Sequence, residues 1–149
     1  LRRILHSCRT LAVVGLSPQW HRPSFFAAKY MQAHGYRIVP VNPVAQEDIL
    51  GERCYPTLTA AAADHKIDMV DCFRKTEDIG PIADEAIAIS AKCLWQQIGV
   101  TNEAAAARAR AAGLDVVMDR CVKIEHARLF GGLNWAGVNT GVISARRPV

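Results

Sequence analysis

Five short apolar runs alternate with segments of helical character along the 149-residue chain. The runs are "LAVVGL" (11–16), "YRIVPV" (36–41), "KIDMVDCF" (66–73), "KCLWQQIG" (92–99) and "LDVVMDR" (114–120). Their apolar residues fall on consecutive positions, which marks strands buried on both faces rather than half-exposed ones. Pro40 sits badly in a central strand, so the second run is expected to end near it. Between the runs lie helices. "PSFFAAKYMQAHG" has Pro23 and Ser24 as its start and Gly35 as its stop. "TAAAADH" is started by Thr59. "TEDIGPIADEAIAISA" carries Glu77 and Asp78 at the positive end of its dipole. "NEAAAARARAAG" is capped by Asn102 and stopped by Gly113, and "VKIEHARLF" is a last short helix. The first ten residues, "LRRILHSCRT", are read as a mobile segment, and the Gly- and Asn-rich tail (131–149) as irregular. Strict alternation of buried strands and helices predicts an α/β fold: one Rossmann-like, doubly wound parallel sheet of about five strands in a single domain over residues 1–149.

Composition narrows the class. Half the residues are hydrophobic and 21% are charged, as in ordinary globular chains. No apolar run approaches the roughly 20 residues that span a bilayer, so no membrane partner is expected. The N-terminus has no signal-peptide core, which makes the cytoplasm the expected compartment. The chain opens without an initiator Met and is expected to begin inside its gene product. The net charge of +4 is spread over pairs such as Arg2–Arg3, Arg74–Lys75 and Arg146–Arg147. That favours one small polyanion over nucleic acid, which calls for longer basic blocks. The five cysteines, Cys8, Cys54, Cys72, Cys93 and Cys121, show no C-x-x-C spacing. Neither a zinc site nor a disulfide framework is expected.

In a doubly wound sheet the ligand lies at the carboxyl ends of the strands. Five turns should line that edge: "GLSPQWHRPS" (15–24), "VNPVAQ" (41–46), "FRKTED" (73–78), "IGVTNE" (98–103) and "MDRCVK" (118–123). The first turn is neither G-x-G-x-x-G nor a P-loop. The second strand ends in Val41-Asn42-Pro43, without the carboxylate that grips an adenosine ribose. Both facts count against a nicotinamide cofactor. What remains is a polar loop with Ser17, Gln19, His21, Arg22 and Ser24 before a helix start, which suits a phosphate. The alternative is that Ser17 and Ser24 only cap turns. Phe73 could cover an adenine while Arg74 and Lys75 meet phosphates, or the basic pair could simply face solvent beside Glu77 and Asp78. Gly99 allows close approach of a ligand to the backbone.

The ordered set "VVGLSPQWHRPSFFAAKYMQAHGYRIVPVNP", "VDCFRK" and "LWQQIGVTNEAAAARARAAGLDVVMDRCVKIEH" resembles the small stand-alone CoA-binding protein family. That family is similar to the N-terminal CoA-binding domain of the succinyl-CoA synthetase alpha subunit. The resemblance covers roughly residues 5 to 147. It implies a Rossmann-like fold that holds coenzyme A or an acyl-CoA without established catalysis. By match of motif, Gly15, Ser17, Arg22, Pro23 and Ser24 would contact the phosphates. Asn42 and Pro43 would flank the nucleotide, Phe73, Arg74 and Lys75 would border it, and Ile98, Gly99 and Val100 would line the pantetheine side.

The residues themselves argue against catalysis by this chain alone. There is no G-x-S-x-G elbow, and His126 lies in the helical "KIEHARL" rather than in a phosphohistidine loop. The carboxylate pairs Asp68/Asp71 and Asp115/Asp119 are expected to be salt-bridged or solvated. Cys121 is the candidate reactive thiol: a helix start, Arg120 and Lys123 should lower its pKa, although a thiol at a strand end can equally be a small core residue. Three readings remain: a non-catalytic CoA-binding module, an acyl-CoA ligase-type subunit that needs an ATP-grasp partner, and, less well supported, a nicotinamide-dependent oxidoreductase. A homodimer is a further option for partners.

Overall fold

The computed structural model describes residues 1–45 and 47–131; the expected irregular tail lies, from residue 132 onward, outside them. Five strands form one all-parallel sheet: β1 (Thr10–Val14), β2 (Arg37–Val41), β3 (Met69–Cys72), β4 (Cys93–Gln96) and β5 (Asp115–Val117). Their order is β2-β1-β3-β4-β5, so the sheet grows outward on both sides of β1 and β3. That pair is the topological switch point of a doubly wound sheet.

Successive strand residues feed two cores. Val14, Val41, Val70, Cys72 and Leu94 pack beneath α3 (Leu58–Asp64), α4 (Ile79–Ala88) and α5 (Glu103–Ala111). Leu11, Val13, Ile38, Met69, Cys93 and Trp95 pack beneath α1 (Arg2–Ser7), α2 (Pro23–Ala33) and α6 (Val122–Phe130). Helices on both faces explain why every position of β3 and β4 is buried and why the sequence shows runs rather than alternation.

The alanines of α5 serve this packing: Ala105 and Ala109 are fully buried and let the helix lie close to the sheet. Asn102 caps α5 as expected, its side chain accepting from the Ala105 N–H at 3.0 Å. The next helix boundary differs from expectation. Thr57, not Thr59, caps α3 by accepting from the Ala60 N–H, while Thr59 is held by Glu85, its hydroxyl donating at 2.6 Å. The fourth helical segment splits into a 3-10 turn over Thr76–Asp78 and then α4.

One other expectation is corrected. The N-terminal segment is a helix, α1, because Ile4, Leu5 and Cys8 are buried against the α2/α6 side of the sheet and outweigh its short length. β2 ends at Val41, one residue past Pro40, as expected. It is the edge strand beside β1, so the missing N–H breaks no bond to β1; on its outer side the Pro40 carbonyl accepts from the Tyr55 N–H at 3.0 Å.

Candidate functional site

A cavity of about 860 Å³ opens at the carboxyl ends of β1, β3 and β4, where a doubly wound sheet presents its ligand. Four turns build it. Gly15 leaves β1 with φ +90°, and its N–H donates to the Val41 carbonyl at 2.8 Å. A Cβ there would run into the Phe73 carbonyl oxygen, so only glycine lets the first and third turns touch. The loop after it is internally braced. Ser17 N–H donates to Ser24 Oγ at 3.0 Å, Gln19 N–H donates to Ser17 Oγ at 3.1 Å, and Arg22 Nε donates to Gln19 Oε1 at 3.2 Å. Ser17 and Ser24 therefore do cap turns, and they line the cavity as well. Pro23 opens α2, and no side chain caps that helix start.

The third turn contributes Phe73, Arg74 and Lys75. Arg74 is paired loosely with Asp78, at 3.4 Å and half-exposed, a contact of small worth that an incoming anion can replace. The cavity lining holds Arg22, Arg74 and Lys75 against one carboxylate, Asp78, so it is net cationic. The fourth turn brings Gln97, Ile98 and Val100 to the wall. It is tied to the third: Asn102 Nδ2 donates to the Thr76 carbonyl at 2.9 Å and the Thr101 N–H to Thr76 Oγ1 at 3.2 Å. Gly99 keeps φ +85° with nothing within 4 Å of its would-be Cβ. Its N–H is held by Asp119 at 2.8 Å. Cys121, at the start of α6, closes the floor.

Ten of the thirteen expected binding residues line this cavity, together with the candidate thiol. Asn42, Pro43 and Gly99 do not line it. Asn42 braces it from outside, Nδ2 donating to the Leu16 carbonyl at 3.0 Å and Oδ1 accepting from the Val44 N–H at 2.9 Å. Gln97 and Asp78 are lining residues that the sequence reading did not single out. Gln97 lay in an apolar run with no motif around it, and Asp78 stood out only as a helix-start acid beside the basic pair, where it does pair with Arg74.

At Cys121 burial and the helix start act in opposite directions. Burial pushes the Cys121 thiol up; the N–H groups of Lys123 and Ile124 at the α6 start pull the other way and do not prevail. Of the carboxylate pairs, Asp68 accepts from the Arg9 and Thr10 N–H groups at 2.9 and 3.1 Å and pairs with Lys92 at 3.6 Å. Asp115 pairs with Arg3 at 3.0 Å. Among the described residues Asp71 has no salt-bridge partner, and it is shielded from solvent. It is buried in mid-strand between Val13 and Trp95, and burial raises its carboxyl to about 7, only partly opposed by the bond from Gln97.

Fold and site together define a doubly wound α/β domain with a cleft at its switch point lined by Arg22, Arg74 and Lys75. The chain belongs to the CoA binding domain family, whose profile matches residues 9–127. It is 38% identical over 127 residues to YneT, an uncharacterized protein of Bacillus subtilis, covering 85% of this chain and 92% of that one. A hypothetical protein from Pyrococcus horikoshii superposes with a TM-score of 0.83 at 38% identity, over 87% of this chain and 89% of the other. A Thermus thermophilus protein does so with 0.79 at 32% identity, over 87% and 96%. Acetyl-coenzyme A synthetase 1 of Ca. Korarchaeum cryptofilum shares the fold, with a TM-score of 0.61 at 21% identity over 72% of this chain and 25% of that one. No helix among the described residues is long and apolar enough to cross a membrane.

Proposed function

We propose that this protein binds coenzyme A or an acyl-CoA in the switch-point cavity, as a binding module rather than a self-sufficient catalyst. The observation that carries this reading is the convergence of Arg22, Arg74 and Lys75 with the uncapped start of α2 on one cavity. Coenzyme A carries a diphosphate and a 3′-phosphate, which call for several cations and a helix N-terminus. Its pantetheine arm is long and weakly polar, and Phe73, Ile98 and Val100 offer it apolar wall. The end of β2 favours CoA over NAD. Asn42 stands where a ribose-binding carboxylate would, and its amide is already engaged by Leu16, Val44 and Ala45.

The test is isothermal titration of the purified chain with CoA, NAD and ATP, together with mass spectrometry of any ligand released from natively purified protein. Tightest binding of CoA is expected. Tighter binding of NAD would overturn the reading. Co-purification of an ATP-grasp protein would favour the ligase-subunit alternative over the stand-alone module.

A further inference from the structure

Among the described residues, a carboxyl group beneath the cavity wall has a single side-chain partner and no counter-ion. Asp71 is 1% exposed at the centre of β3. Gln97 Nε2 donates to Asp71 Oδ1, and Gln97 Oε1 accepts from the Val122 N–H at 3.4 Å. One amide thus spans from the middle of the sheet to the start of α6 while also forming part of the cavity wall. Buried acids are normally excluded from such a position or paired with a cation.

Among the described residues no cation meets Asp71 to ionise it. Within the sheet its neighbours are Val13 on β1 and Trp95 on β4. The titratable groups it acts on are the thiols of Cys72, Cys93 and Cys121. On the helices that cover this face, the charged and titratable groups are engaged elsewhere or exposed. Arg3 of α1 pairs with Asp115, and His6 is exposed. Lys29 of α2 is exposed. Glu125 of α6 pairs with Arg128 at 2.7 Å and Arg120 at 3.9 Å, and His126 meets the Tyr30 hydroxyl at 3.0 Å. The cations nearest in function are those of the cavity rim, Arg22, Arg74 and Lys75.

We propose that Asp71 is a proton-coupled positioning residue of the ligand site: it holds the Gln97 amide against the cavity floor and takes up a proton when a polyanionic ligand fills the cavity. The proposal rests on the CoA reading above. Two physical effects act with one sign. Phosphate groups in the cavity disfavour a nearby carboxylate. Filling the cavity expels water from beside Gln97 and Cys121, which deepens the burial of Asp71. Neutral pH is where this matters, because the unliganded carboxyl titrates at about 7. Affinity for an anionic ligand therefore falls as the pH rises through neutrality.

The test uses dephospho-CoA, whose diphosphate does not titrate near neutrality, so that the ligand itself contributes no proton. Titration calorimetry in two buffers of different ionisation enthalpy, at pH 6.5, 7.5 and 8.5, counts protons taken up on binding. For the wild type, net uptake is expected, with a Kd that weakens about threefold to tenfold across the range, as a shift of up to one pKa unit requires. For Asp71→Asn, which keeps an acceptor for Gln97, both the uptake and the weakening should vanish while binding persists. Uptake retained in Asp71→Asn overturns the proposal and leaves the CoA reading standing. So does wild-type binding without uptake at all three pH values, a result that does not depend on the variant folding. Failure of the wild type to bind either dephospho-CoA or CoA overturns both.

Discussion

Replacing Gly15 with Ala and, separately, Gly99 with Ala isolates what the close approach of two turns is worth. Both glycines have positive φ, +90° and +85°, so both substitutions place an L-residue in left-handed backbone, at about 1–2 kcal/mol. A stiffer unfolded chain returns about 0.4–1 kcal/mol in each case. Gly99 has open space at its would-be Cβ, so its net loss should be about 1 kcal/mol. At Gly15 the new methyl meets the Phe73 carbonyl oxygen, with Arg74 Cδ a further 3.0 Å contact. Backbone cannot swing aside as a side chain tip can. The turns must part, loosening the bonds from Gly15 N–H to Val41 O and from Phe73 N–H to Val14 O, at 2.8 and 2.9 Å. At about 0.5–1.5 kcal/mol each, those bonds bring the expected loss for Gly15→Ala to about 2–4 kcal/mol. The same movement separates Ser17 and Arg22 from Arg74 and Lys75, so CoA affinity should collapse for Gly15→Ala and survive largely intact for Gly99→Ala. Urea unfolding gives the stabilities and titration calorimetry the affinities. Losses within about 0.5 kcal/mol of each other, or wild-type CoA binding by Gly15→Ala, would refute the close-approach argument.

Arg22→Ala should weaken CoA by about 1.5–3 kcal/mol, the worth of a charge-assisted contact, and leave pantetheine, which has no nucleotide phosphates, nearly unchanged; equal losses in parallel titrations would mean that Arg22 acts through folding. Among the thiols, Cys54 and Cys121 are half-buried, whereas Cys8, Cys72 and Cys93 are buried, so a thiol reagent followed by peptide mapping should label the first two. CoA should protect Cys121 and not Cys54, and the Cys121 rate should still be climbing above pH 9 because burial raises that thiol. Asp71 makes stability pH-dependent in the sense opposite to a salt-bridged acid. Its folded-state value of about 7 lies above the ordinary 3.8, so the folded chain holds the extra proton, and stability is lost as the pH rises from about 4 through about 7. Asp71→Asn should therefore match or trail the wild type at pH 4 and exceed it at pH 8 by up to about 4 kcal/mol; chemical unfolding at the two pH values checks this, and a gap that does not widen with pH would contradict it.

The sequence alone determined the architecture. Consecutive buried positions in "LAVV", "DMVDC" and "CLWQ" can be satisfied only by strands covered on both faces, and covering helices must then lie between them. The loop chemistry followed from the same reasoning. Once the turns share one edge, Ser17, Arg22, Arg74 and Lys75 are neighbours whatever the details. Local signals also placed Asn102 at its cap. Three things were decided only in the folded chain. The N-terminal helix exists because Ile4, Leu5 and Cys8 meet a core made by residues far along the sequence, a contact no six-residue window reveals. Pro40 is tolerated because β2 came to lie at an edge, and strand order is not written in any one strand. The environments of Asp71 and Cys121 were likewise set by the fold, for a common reason. Charge patterns along the chain suggested a salt-bridged or solvated acid and left the thiol open between an activated group and a core residue. Burial beneath the cavity removes water from both, and desolvation raises both groups more strongly than nearby donors lower them.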